Sequence, residues 1–318
     1  MALQRFVSFL SNGFHRAAPW SPFAPPPPLK PLQQAGTGLV GLATIAMVAI
    51  ALPDAASALQ VTVGPNSPKL GDTLSVVARY DNPATTTPPQ ITLGQQVFQT
   101  FPIGPNQFRA LLPTTPLDRP GRLSLVVAGG NESQTVSVNL GDRKFQTQSI
   151  WVRGGGSDGT DQEFDRVDAF KKLVTPEKYW NGKFLRPNEG PVTSEFGIRR
   201  YYNGEFAKDY YHRGVDYAGG TGSPVVAAAA GRVALVGREA QGFKLHGNTV
   251  GLDHGQGVAT IYLHLSRINV QEGDFVQAGQ VIGTVGATGS ATGPHLHWGL
   301  YVHGQAVDPV PWRYTGFE

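Results

Sequence analysis

At 318 residues the chain has room for two domains with real cores, and its 40 glycines and 25 prolines against 15% charged residues favour a turn-rich, strand-rich protein over a helical one. It contains no cysteine, which excludes disulfide staples, thiolate metal ligands and a cysteine nucleophile and leaves chemistry to His, Asp, Glu, Ser and Tyr. The formal charge of +3 falls near +1 once Arg5, Arg16, Lys30 and Asp54 of the leading segment are set aside, so a nucleic-acid partner has no electrostatic support.

Residues 1–58 carry a basic leader, a proline-rich stretch (APPPPLKP, 24–31) and the uncharged apolar run GLVGLATIAMVAIAL at 38–52, followed by Ala56-Ser57-Ala58. This order resembles an export signal cleaved after Ala58. The run is short for a spanning helix, and membrane anchoring through residues 38–52 is the alternative. In both cases the rest of the chain is expected outside the cytoplasm, in the periplasm or cell envelope.

From 59 to 152, short segments separated by Gly, Pro, Asn and Asp alternate in polarity: LQVTV (59–63), TLSVVARY (73–80), QQVFQTF (95–101), QFRALL (107–112), RLSLVVA (122–128) and QTVSVNL (134–140). The spacing predicts a β-sandwich of immunoglobulin-like size with no catalytic constellation, a spacer or docking module. GGGSDGT (154–160) reads as a joint, and Phe164, Val167, Phe170 and Val174 predict one amphipathic helix over 161–174, ended by Pro176, within a linker spanning 153–183. Gly-bounded β segments resume from Phe184 and define a second domain over 184–318. The fold class is all-β, with one linker helix.

Of eight histidines, seven fall between 212 and 303. His295 and His297, in TGPHLHW, leave the same face of a strand about 7 Å apart. In YYHRGVDYAGG, His212 and Asp216 lie about 13 Å apart on a straight strand and converge only if the chain bends near Gly214. In ATIYLHLSRINV, Tyr262, His264 and Ser266 alternate with Ile261, Leu263 and Leu265, which puts His264 on the polar face of a strand. These pieces supply four histidines and one carboxylate. Three N/O ligands with an open fourth position suit a catalytic zinc, and histidines beyond the ligand set can move protons and hold an oxyanion. Tyr262 either offers its hydroxyl to that oxyanion or packs. His254 is expected to stabilise a turn, and His246 and His303 have no assigned role. Ser223 and Ser290 do not sit in G-x-S-x-G elbows, and GATGSATG lacks the lysine of a phosphate loop.

HRGVDYAGGTGSPVVAAAAGRV, GNTVGLDHGQGVATIYLHLS, VQEGDFVQAGQVIGTVGATGSATGPHLHW and the closing VDP together resemble the M23 zinc metallopeptidases of the lysostaphin/LytM type, over residues 184–309. The resemblance implies a small, mostly antiparallel β domain with its site in a groove across a sheet. It implies Zn2+ ligation by His212, Asp216 and His297 and catalysis by His264 and His295. It also implies hydrolysis of peptide cross-links in peptidoglycan, with stem peptides as partners. An alternative is a catalytically silent LytM-type activator of other cell-wall hydrolases. The peptidase domain is expected to be duplicated hybrid or barrel-sandwich-like, and VQEGDFVQAGQVIGTVG also looks like the barrel half of biotinyl and lipoyl domains. No lysine follows Lys244 to carry such a modification.

Overall fold

The structure is a computed structural model that describes residues 59–151 and 159–317. The apolar run at 38–52 and most of the glycine joint at 154–160 lie outside these residues. Among the described residues no helix is long and apolar enough to cross a membrane.

The first part is a sandwich of two antiparallel sheets. One orders Leu59–Gly64, Thr73–Tyr80, Gln107–Pro113 and Phe101–Gly104; the other orders Gln96–Gln99, Gln90–Leu93, Gly121–Gly129 and Glu132–Leu140. Alternation decides the faces. Leu74, Val76, Ala78, Phe108 and Ala110 of the first sheet meet Ile91, Leu125, Val127 and Val138 of the second in one core. The segment expected as a single strand over 95–101 divides between the two sheets at Thr100, whose hydroxyl is bound to the Pro89 carbonyl at 2.6 Å. Two short strands, Gln90–Leu93 and Thr147–Ile150, are additional to those expected.

The helix covers Asp161–Lys171, three residues shorter than its apolar periodicity suggests. Its last turn tightens, with the Lys172 and Leu173 amides donating to the Ala169 and Phe170 carbonyls at 3.3 and 3.2 Å, and Leu173 and Val174 are exposed. Val167 and Phe170 are buried in the core of the second part.

That second part is built on a ten-stranded, antiparallel sheet. Its middle is the strand Leu296–Val302, flanked by Val215–Tyr217 on one side and Val258–Ile268 on the other. Register sets Asp216 and Leu263 directly opposite His297 on the two neighbours. The hairpin of Arg199–Tyr202 and Glu205–Phe206 stands apart as a small sheet, completed by the parallel strand Thr147–Ile150 that leaves the sandwich.

The two parts share a seam. Leu111 of the sandwich lies in the same core as Trp180, Trp298 and Trp312. The Asp308 amide donates to the Gly71 carbonyl at 2.8 Å, and Trp312 Nε1–H donates to the Thr73 hydroxyl at 3.1 Å. Arg143 pairs with Asp308 at 2.7 Å, and Arg109 lies over Trp180 and donates to the Phe317 carbonyl.

Candidate metal centre and active site

Gly214 is where the chain turns to bring His212 onto Asp216. A Cβ there would lie 2.4 Å from the Trp298 carbonyl and 2.7 Å from His297 Nε2, so only glycine lets this segment close against the central strand. The closure brings three donor atoms together: His212 Nε2 to Asp216 Oδ1 at 3.1 Å, His297 Nδ1 to Asp216 Oδ1 at 2.9 Å, and His212 Nε2 to His297 Nδ1 at 3.1 Å. All three residues are at least nine-tenths buried.

The chemistry of this donor set fits a cation. His212 Nδ1–H donates to the Glu195 carbonyl at 2.8 Å, which fixes the ring with Nε2 towards the carboxylate. Burial disfavours the charged form of Asp216, but hydrogen bonds from His212 and His297 outweigh it and hold the carboxyl far below its ordinary range. Burial pushes His297 down to about 4. Two imidazole nitrogens and one carboxylate oxygen converge within 3.1 Å of one another, a donor set of the N/O type that a divalent cation takes. A tetrahedral ion with bonds of about 2.0–2.1 Å sets its ligand atoms about 3.3 Å apart, close to the separations seen.

Beside this triangle, His264 and His295 form a second pair with ring centroids 4.7 Å apart. Both are set the same way: His264 Nδ1–H donates to the Thr288 carbonyl at 2.9 Å and His295 Nδ1–H to the Gly293 carbonyl at 2.8 Å, leaving each Nε2 as an acceptor. Burial, helped by the neighbouring His295 and His297, pushes His264 down to about 3.

His264 does not occupy the polar face of a regularly alternating strand. Residues 258–265 are buried on both faces, and Leu263 and His264 oppose the single residue Thr249 in a β-bulge between the Val250–Tyr262 and Asn248–Leu265 pairs. His264 there takes a left-handed φ of 63°. The bulge re-aims its side chain, which period-two alternation cannot express. Tyr262, on the same strand, packs: its hydroxyl accepts from the Ala228 amide at 2.8 Å and pairs with Thr260 at 3.1 Å. His254 is likewise buried, bound to the Ala230 carbonyl and the Thr260 hydroxyl. His246 carries a contact that the sequence reading missed: Glu163, of the linker helix, lies 2.7 Å from its Nδ1. The visible signal is Thr160-x-x-Glu163, which by itself indicates only a helix cap.

Residues 210–309 match Peptidase family M23. The chain carries an M23 peptidase domain. Over 99 residues it is 46% identical to the DD-carboxypeptidase/endopeptidase Mpg of Neisseria meningitidis serogroup B, a match covering 31% of this chain and 22% of that protein. Over 120 residues it is 39% identical to the peptidoglycan DD-endopeptidase ShyC of Vibrio cholerae serotype O1, covering 37% and 26% respectively. The chain thus spans about a quarter or less of the length of these curated relatives. A crystal structure of an M23 peptidase from Pseudomonas aeruginosa superposes with a TM-score of 0.59 at 27% identity, covering 79% of this chain and 96% of that one. That likeness reaches well past the M23 domain itself.

Proposed function

We propose that the chain is an exported zinc endopeptidase that hydrolyses peptide cross-links of peptidoglycan, with residues 59–152 as a β-sandwich module, 153–183 as the linker and 184–318 as the peptidase domain. The observation that carries this reading is the triangle of His212, Asp216 and His297 ligand atoms beside the pair of His264 and His295. The relatives named for peptidoglycan DD-endopeptidase activity support the substrate class and a site of action outside the cytoplasm.

His212, Asp216 and His297 would hold the zinc. Such an ion supplies Lewis acidity towards a peptide carbonyl and lowers the pKa of a water to about 7. The remaining steps belong to His264 and His295. With Nδ1–H committed to backbone carbonyls, each keeps Nε2 for proton transfer. One takes the proton of the attacking water, and the resulting imidazolium stabilises the oxyanion and then donates to the departing amine.

The test is digestion of cross-linked peptidoglycan with the products resolved by mass spectrometry, run beside a measurement of zinc per chain. His297→Ala is expected to empty the metal site. His264→Ala and His295→Ala are expected to keep the metal and lose about 10²–10⁴ in rate. A zinc-replete chain inert towards every cross-linked fragment would sink the reading.

A further inference from the structure

Glu163 sits in the first turn of the helix Asp161–Lys171 with 0% of its surface exposed. As a capping-box partner its Oε2 accepts from the Thr160 amide at 3.3 Å. The carboxylate also reaches residues 244–246 in the M23 domain. Its Oε2 accepts from the Lys244 amide at 2.9 Å, its Oε1 from the His246 amide at 2.7 Å, and both oxygens from the Leu245 amide at 3.1 and 3.2 Å. His246 Nδ1 lies a further 2.7 Å from Oε1. Three consecutive amides around one carboxylate form an anion nest. Burial alone would raise the pKa of Glu163, and the hydrogen bonds from His246 and Leu245 outweigh it and hold the carboxyl below its ordinary range. Capping the helix accounts for only one of these contacts.

The clamped loop supports His264. The His246 carbonyl accepts the His264 amide at 3.1 Å, and the Leu245 carbonyl accepts the Ser290 amide at 2.9 Å. The Asn248 amide donates to the Thr288 hydroxyl at 2.9 Å, while the Thr288 carbonyl takes the His264 Nδ1–H. Both the backbone of His264 and the carbonyl that fixes its imidazole therefore rest on residues 245–248. A left-handed φ on a residue of this bulk persists only where its surroundings over-determine it.

The geometry points to Glu163 as a positioning residue for His264: the linker helix, outside the matched M23 segment, holds the proton-transfer histidine in place through the loop at 244–248. This rests on the role given to His264 above.

The experiment compares four full-length chains: wild type, Glu163→Gln, Glu163→Asp and His264→Ala. It reads kcat and KM on a soluble cross-linked muropeptide, zinc per chain, and the ¹⁵N imidazole signature that reports the His264 tautomer. Glu163→Gln puts an amide NH2 against backbone N–H groups. It is expected to keep its zinc, hold KM within about twofold, and lose about tenfold or more in kcat. Its His264 ring is expected to lose the pure Nδ1–H signature. Glu163→Asp, which keeps the charge but withdraws it by a methylene, is expected to fall between, and carries the same reading if Glu163→Gln does not fold. The inference is overturned if kcat and the His264 signature stay at wild-type values, or if apparent kcat and zinc per chain fall together in proportion to lost folded protein while the His264 signature of the folded fraction is that of wild type. Full activity of His264→Ala would instead remove the role assigned to His264. An inactive His264→Ala beside an unaffected Glu163→Gln would remove only the positioning role.

Discussion

Gly214→Ala is the sharpest probe of how the metal centre is assembled, because it adds one methyl group and no charge. The Cβ would meet the Trp298 carbonyl at 2.4 Å and His297 Nε2 at 2.7 Å, against ordinary contacts that begin near 3.4 Å. The carbonyl must therefore retreat by about 1.0 Å and the ring by about 0.7 Å. The carbonyl belongs to the central strand, whose pairing holds Asp216 opposite His297, so its retreat would pull the ligands apart. Metal sites tolerate about 0.2 Å in ligand distance, and the required displacement is several times larger. Overpacking of this kind costs about 1–3 kcal/mol in stability, and disturbed ligand support lowers metal affinity by about 10–100-fold. Competition against a chromogenic chelator reads the affinity, and thermal unfolding reads the stability, with about 2–4 °C expected per kcal/mol. A Gly214→Ala chain that binds zinc as wild type does and unfolds at the same temperature would falsify the steric account.

Three further outcomes follow from the packing. Trp312 is fully buried against Trp180, Phe184 and Phe317, so Trp312→Ala should lose about 3–5 kcal/mol in urea unfolding. Trp312→Phe should recover most of that while still lacking the bond to Thr73. Arg109→Met should leave the Phe317 carbonyl without its guanidinium donor and cost about 1–3 kcal/mol, visible as faster hydrogen exchange on both sides of the seam. Burial pushes His254 and His303 down to about 4 from their usual 6.5. Between those values the unfolded chain binds more protons than the folded one, so stability is present above about pH 6.5 and lost as pH falls towards 4. Each histidine contributes up to about 1.4 kcal/mol per pH unit, and His254→Gln should flatten the dependence of the urea midpoint between about pH 7 and pH 5.

What could be read in the sequence divides along physical lines. Alternation identified the strands that bury one face, such as Thr73–Tyr80, because the side-chain period there is a direct record of the environment. The need for a bend between His212 and Asp216 was also legible, since straight-strand geometry cannot join them and glycine stands between. His264 was legible as a residue but not as a conformation: a bulge is a register shift between two strands, and its partner residues lie outside the segment being read. Thr147–Ile150 was missed because TQSI has no apolar alternation and is ordered by parallel pairing with Arg199–Tyr202. Glu163 was missed because its amide partners lie 81 to 83 residues away and donate from the backbone, which leaves no trace in residue identity.

The bonds of Gly71 and Thr73 to Asp308 and Trp312 fasten the front of the described chain to its tail. A protease that cut the polypeptide between Trp151 and Gly159 would sever its covalent continuity and leave these bonds, with the Arg143–Asp308 pair, in place. The severed halves would co-migrate on a sizing column under native conditions and separate only in denaturant. A clipped preparation of this protein would therefore look intact on a native sizing column and show its break on a denaturing gel.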